Sequence, residues 1–181
     1  DEPTNRIILV LAMDEGMRAT EIAHMMVEDI NENWIRVRGK GHRNGKFRSI
    51  PISDRVIETI EQYMEYRSRL LIDKEDCGSL ILGRNGMPLT AHAVTQRVIR
   101  MAKKNGNDIT AHSLRRRFIT DTLNSGVKIE VCSKLVGHES PMVTASYYDC
   151  DPELLSNAMA KRREYLMRGG IQSENWTKKR K

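Results

Sequence analysis

The chain is poor in the residues that staple, anchor or metallate a protein. Its three cysteines, Cys77, Cys132 and Cys150, are an odd number without metal-ligand spacing. That argues against a disulfide frame and fits a reducing compartment. The five histidines are scattered, with no HExxH and no Cys/His cluster; no metal and no cofactor are expected. No apolar run approaches the ~20 residues of a membrane span, so no membrane partner is expected. There is no signal peptide, and the chain opens at Asp1 without a Met, as a cut fragment does. At 181 residues it is long enough for one domain with a real core.

Charge is plentiful and segregated. The net charge is +6. Residues 161–181 hold eight Lys/Arg against two Asp/Glu, and residues 1–160 balance at 22 of each sign. Within that balanced part, Arg36 to Arg48 carries six basic residues and no acid, and Arg97 to Arg117 carries seven against Asp108. Asp54 to Asp76 is mostly acidic. Two basic stretches and a basic tail on a neutral body point to a polyanion partner. Arg43, Lys46, Arg48, Arg97 and Arg116 are the candidate polyanion contacts.

Local patterns give the elements. Asp1-Glu2-Pro3 starts a buried helix that Gly16 ends. A second helix follows from Ala19 to Met26. Trp34 to Arg38 alternates apolar and basic, and Phe47 to Ile52 returns, giving a β-hairpin with a basic tip. Ser53 or Asp54 caps a long helix towards Ile72, with Val56, Ile60, Tyr63 and Leu70 inward. Leu80 to Leu82 is a short buried segment, and Gly83 to Pro88 is turn chemistry. Thr90 caps Ala91–Lys104, with Arg97, Arg100, Lys103 and Lys104 expected outward. Thr110 caps the next helix, which Asn124-Ser125-Gly126 ends. Val127 to Val136 forms another, and Asp151-Pro152 opens a last one to Met167. Gly169-Gly170 is a flexible joint before a tail whose large apolar residue is Trp176.

The densest chemistry lies between Ala111 and Tyr148. His112 and Arg115 are three apart and share a helix face. His112 falls in the first turn, where free N–H groups favour an anion. Gly137 stops a helix, His138 follows directly, and Tyr147 comes nine residues later. Singly these are bland: adjacent arginines read as a solvated face, a His after a Gly cap as a capping residue, and the tyrosines as core or rim. Together, two arginines, two histidines and a tyrosine hydroxyl form a kit for phosphoryl transfer without a metal.

In order along the chain, these parts resemble the tyrosine recombinases, also called phage integrases, over Ile7 to Tyr165. The family's Gly-Leu-Arg-x-x-Glu is present as Gly16-Met17-Arg18-Ala19-Thr20-Glu21, with Met for Leu. Its hairpin lysine matches Lys40 in Gly39-Lys40-Gly41, with Lys46 the rival. Its His-x-x-Arg is His112-Ser113-Leu114-Arg115, its Leu-Gly-His is Leu135-Val136-Gly137-His138, and its Tyr is Tyr147 in Thr144-Ala145-Ser146-Tyr147. One departure is Arg116, where many relatives carry a His.

The resemblance implies a mainly α fold with a small antiparallel β-hairpin or sheet. It implies catalytic roles for Arg18, Lys40, His112, Arg115, His138 and Tyr147, with Glu21 orienting them. The activity implied is site-specific DNA recombination, integration or excision, through a 3′-phosphotyrosine link. A type IB topoisomerase-like relaxation and an inactive DNA-binding relative are the alternatives. Double-stranded DNA and further protomers in a tetrameric synapse, with the tail docking in trans, are the implied partners. The setting is cytoplasmic, at the nucleoid, of prokaryotic, viral or plasmid origin. Residues 1–168 then form the catalytic domain and 169–181 a basic tail, with no N-terminal DNA-clamping domain in this chain.

Overall fold

A computed structural model describes residues 2–39, 47–138, 140–146, 159–160 and 163–164. Two units emerge, Asp1–Tyr147 and Tyr148–Lys181. Of the second, the described residues are exposed helix at 159–160 and 163–164. The first unit carries α1 (Glu2–Met13), α2 (Ala19–Ala23), β1 (Trp34–Arg38), β2 (Phe47–Pro51), α3 (Asp54–Leu70), α4 (Ala91–Lys104), α5 (Ala111–Asn124), α6 (Ile129–Val136) and α7 (Pro141–Ala145). It is a mainly helical fold with one two-stranded antiparallel sheet. Among the described residues no helix is long and apolar enough to cross a membrane.

The core follows the sequence periodicities. Helix α1 buries Ile7, Ile8 and Leu11 completely. Thr90 caps α4 by accepting the Ala93 N–H at 3.2 Å, and Val94 and Val98 face in. In the sheet, Ile35, Val37 and Ile50 point into the core, whereas Trp34, Arg36, Arg38 and Phe47 point out. Arg36 and Arg38 both lie over the Phe47 ring, 5.0 and 5.2 Å from its centroid. A smaller cluster of Ile119, Leu123, Cys132 and Val136 joins α5 to α6.

Three elements depart from the sequence expectation, each through a long-range contact. Helix α2 ends at Ala23 rather than Met26. The chain turns extended at Met26 because Met25 and Val27 bond the buried segment beyond α3: the Leu80 N–H donates to Met25 at 2.8 Å and the Val27 N–H to Gly78 at 2.9 Å. In α3, the buried position after Tyr63 is Arg67, not Leu70. Its guanidinium grips Asp76 at 2.8 Å and the Ser79 carbonyl at 3.0 Å, so a cation sits on the apolar stripe fully hydrogen-bonded. Arg97 does not point outward with its neighbours on α4. It is half-buried and donates to Asn5 on α1 at 3.0 Å.

Glu15, at the end of α1, is 5% exposed. Burial, and then the charge of Asp14, push its carboxyl up from 4.5 to about 7. The folded state therefore binds a proton that the unfolded chain releases. That contribution to stability is complete below pH 4.5 and is lost as pH rises through 7. Glu15→Gln should stabilise the protein at pH 8 by ~1–3 kcal/mol, with the gap closing towards pH 5; urea melts at the two pH values measure it.

Candidate phosphate-binding site

Two glycine turns and one cap bring distant residues to one place. Gly16 takes φ +60° and ends α1. A Cβ there would enter the Phe118 ring, so both the dihedral and the space require glycine. The turn sets Arg18 at the N-cap of α2, one turn before Glu21. Gly137 takes φ +64° at the end of α6. The His138 N–H then reaches back to the Ser133 carbonyl at 3.0 Å, the long bond of a Schellman turn. Thr110 caps α5 in a reciprocal capping box with Ser113, which fixes the start of the helix that carries His112 and Arg115.

At the centre is the Glu21 carboxylate, its side chain 3% exposed. It accepts the Arg18 backbone N–H and the Arg18 Nη1, both at 2.8 Å. It accepts Arg48 Nη1 at 2.9 Å and Nη2 at 3.0 Å. Arg115 stands 3.9 Å away. Burial alone would raise this carboxyl, but the bonds and charges of Arg48 and Arg18 prevail and hold it below the usual carboxylate value. Glu21 is ionised at neutral pH, as the site requires.

The same guanidiniums cap the C-terminus of α6. Arg115 donates to the Val136 carbonyl at 2.5 Å and to the Gly16 carbonyl at 2.6 Å. Arg48 Nε donates to the Leu135 carbonyl at 2.8 Å, and Arg18 approaches Val136 at 3.4 Å. These carbonyls are orphans of the helix end, where the dipole is negative. Three cations thus meet one carboxylate and one helix terminus, leaving a positive surplus. Arg18 is the outermost: its side chain is 31% exposed, and its Nε and Nη2 have no partner among the described residues.

His138 sits beside this surplus. Its Nδ1 shares a 2.8 Å hydrogen bond with Thr144 Oγ1, and Thr144 is fully buried on α7. Ser140 and Pro141 start that helix, Ser140 by accepting the Met142 N–H at 3.2 Å. Burial, then Arg115, Arg18 and Arg48, lower the His138 pKa to about 4, against a smaller opposing pull from Glu21. A group already lacking a proton can accept one or hold a phosphate oxygen through a ring N–H.

The structure therefore gathers Arg18, Glu21, Arg115 and His138. His112 is in the first turn of α5, exposed, with no hydrogen bond among the described residues. Arg116 is on the exposed side of the same helix. Arg48 faces Glu21 and is 12% exposed, and Arg97 faces Asn5. Lys40, Arg43, Lys46 and Tyr147 lie outside the described residues. Among the described residues no group of three His, Cys, Asp or Glu is arranged to hold a metal ion. Sequence reading missed the carbonyls of Gly16, Leu135 and Val136 as arginine acceptors. The signal for them was present, since both helix ends are marked by Gly16 and Gly137.

The depressed His138 gives a direct test. Its ring should stay neutral in the free protein from pH 8 down to pH 5, whereas an ordinary histidine half-titrates near 6.5. Two-dimensional NMR of the ring nitrogens against pH measures this; half-titration above pH 6 would contradict the geometry.

Comparison with known proteins bears on the family and the fold. The profile of the Phage integrase family matches residues 1–153. Tyrosine recombinase XerD of Staphylococcus saprophyticus is 30% identical over 147 residues, which cover 79% of this chain and 49% of that protein. Tyrosine recombinase XerC of Listeria welshimeri is 28% identical over 162 residues, 87% of this chain and 53% of that one. The chain thus spans about half the length of these relatives. Among solved structures, the XerH site-specific recombinase bound to difH in a pre-cleavage complex superposes with a TM-score of 0.70 at 21% identity, over 87% of this chain and 46% of that one. The XerA recombinase gives 0.69 at 19% identity, over 95% of this chain and 65% of that one. With the fold shared and the family profile matched over most of its length, the chain belongs to the phage integrase family.

Proposed function

We propose that this chain is the catalytic part of a site-specific DNA recombinase that cuts and rejoins one DNA strand through a 3′-phosphotyrosine link. The supporting observation is the cluster of Arg18 and Arg115 on the buried, ionised Glu21, beside a neutral His138. A phosphodiester carries one negative charge and gains more as its phosphorus becomes five-coordinate. Fixed guanidiniums and a ring N–H meet that charge without rearranging, the usual source of the largest rate effect.

Tyr147 is the proposed nucleophile. A tyrosine hydroxyl with a pKa near 10 is mostly protonated at neutral pH, so attack needs nearby positive charge and a proton acceptor. The Tyr147 oxygen bonds to phosphorus as the bond to the 5′ oxygen breaks, with its proton passing to His112 or His138. Lys40 supplies the proton that the departing 5′ oxygen takes up. The 3′-phosphotyrosyl ester keeps the bond energy of the original linkage. A 5′ hydroxyl attacking that ester reverses each transfer and reseals the strand, so neither ATP nor metal is consumed. Arg43, Lys46 and Arg116 are proposed to grip flanking phosphates, whereas Arg97, expected to do so from charge alone, is spent on Asn5.

Residues 1–168 are read as the catalytic domain and 169–181 as a tail that docks on a neighbouring protomer through Trp176, within a tetrameric synapse. The relatives are bacterial, and the setting proposed is the cytoplasm, on chromosomal or mobile-element DNA.

Incubation with a library of nicked duplexes in excess EDTA tests the chemistry. The chain should become covalently attached to a 3′ phosphate, and peptide mapping should put that phosphate on Tyr147. Tyr147→Phe should bind DNA within about twofold of wild type and form no adduct, and Arg115→Ala should lower the rate of adduct formation by about 10²–10³. Adduct formation abolished by EDTA and restored by magnesium, or phosphate found on Tyr148, would overturn the assignment.

A further inference from the structure

Arg48 occupies an unusual position for a residue in a basic hairpin. It lies on β2 opposite Val37, one residue past Phe47, where the hairpin returns towards the body of the protein. All three guanidinium nitrogens are engaged: Nη1 and Nη2 on the two Glu21 oxygens at 2.9 and 3.0 Å, and Nε on the Leu135 carbonyl at 2.8 Å. The side chain is 12% exposed, against 31% for Arg18, which offers only Nη1 to the Glu21 side chain. A bidentate hold on a carboxylate plus a third bond to a helix end is a geometry that arginine provides and lysine does not. Approach of a DNA phosphate would have to break these bonds and uncover a buried carboxylate.

Arg48 also ties together three pieces of chain far apart in sequence: the hairpin, Glu21 on α2, and the last turn of α6. The tie is close. A Cβ on Gly137 would lie 2.8 Å from Arg48 Nη1, so the guanidinium packs directly on the turn that presents His138. We propose that Arg48 is a positioning residue that holds Glu21 and the α6 terminus in register with the hairpin, so that Arg18, Arg115 and His138 are set for the scissile phosphate, and that it makes no DNA contact of its own. This replaces the expectation from charge alone that Arg48 grips DNA. Only its effect on cleavage rests on the strand-transfer reading above.

Two consequences separate positioning from phosphate contact. Salt dependence counts phosphate contacts: each one lost reduces the slope of log affinity against log salt by about 0.9. Positioning leaves that slope alone. Charge is the second handle, since Arg48 is among the cations that keep His138 unprotonated. Losing that charge lets the ring titrate at higher pH, which loss of packing alone at a remote site does not do.

The experiment compares the 181-residue wild type with Arg48→Gln and Arg48→Lys. Binding of a fluorescent random-sequence duplex is followed from low to moderate salt, the His138 ring is titrated by NMR, and adduct formation is timed at saturating nicked DNA. Arg48→Gln should keep the wild-type salt slope, shift His138 titration upward, and slow adduct formation at least about tenfold with affinity within about twofold. Arg48→Lys should leave His138 near its wild-type titration yet still slow the adduct, because one ammonium cannot make both Glu21 bonds. A slope lowered by about 0.9 would make Arg48 a phosphate contact and overturn the proposal. So would an unchanged His138 titration in Arg48→Gln, or wild-type adduct rates in both variants. If the wild type itself forms no adduct, the cleavage reading fails, and slope and titration still decide whether Arg48 positions the site. If Arg48→Gln does not fold, the lysine variant decides: a slowed adduct at an unchanged slope supports the proposal, and a wild-type rate rejects it.

Discussion

Everything at the site depends on one buried negative charge. Glu21, its side chain 3% exposed, is costly to ionise in isolation, and three guanidiniums packed together would repel one another. Each cost is offset only by the other. Arg48 and Arg18 keep the carboxylate charged, and the carboxylate lets Arg48, Arg18 and Arg115 stand within reach of a common point. The C-terminus of α6 adds a partial negative charge to the balance through the Leu135 and Val136 carbonyls. The assembly is thus compact in charge while still electropositive overall, which is the condition for binding a phosphate that arrives with its own charge.

Burial is the first reason that His138 is neutral, and that positive surplus is the second: both disfavour a charged ring, and together they hold its pKa near 4. The arrival of a phosphate would reverse the sign of its nearest neighbour. An anion bound against Arg18 would therefore raise the basicity of the ring, with the Thr144 bond holding its orientation.

Much of this was legible in the sequence where the information is local. Thr90 and Ala93, Thr110 and Ser113, and Gly137 before His138 each settle a helix boundary within four residues, and the boundaries of α4 and α5 follow. The mainly helical fold with a single hairpin was legible from periodicity and from the ordered motifs alike. What stayed hidden is non-local. Nothing near Arg48 says that it turns towards Glu21, 27 positions earlier, rather than towards solvent. Nothing near Met26 shows that Gly78 to Leu80 will claim its backbone and shorten α2. Arg67 looks like a surface cation until Asp76 and the Ser79 carbonyl are seen to enclose it. Composition locates charges along the chain, but only the fold decides which of them are spent internally.

Gly137 carries an evolutionary consequence. Its dihedral, φ +64°, is one that asparagine also adopts at helix ends, so the backbone alone would let this position drift between two residue types. The Arg48 guanidinium, 2.8 Å from where a Cβ would sit, removes that freedom. A side chain at position 137 would have to push the Arg48 guanidinium off its bonds to Glu21 and the Leu135 carbonyl, so substitutions at these three positions, drawn from three separate segments, should be strongly non-additive.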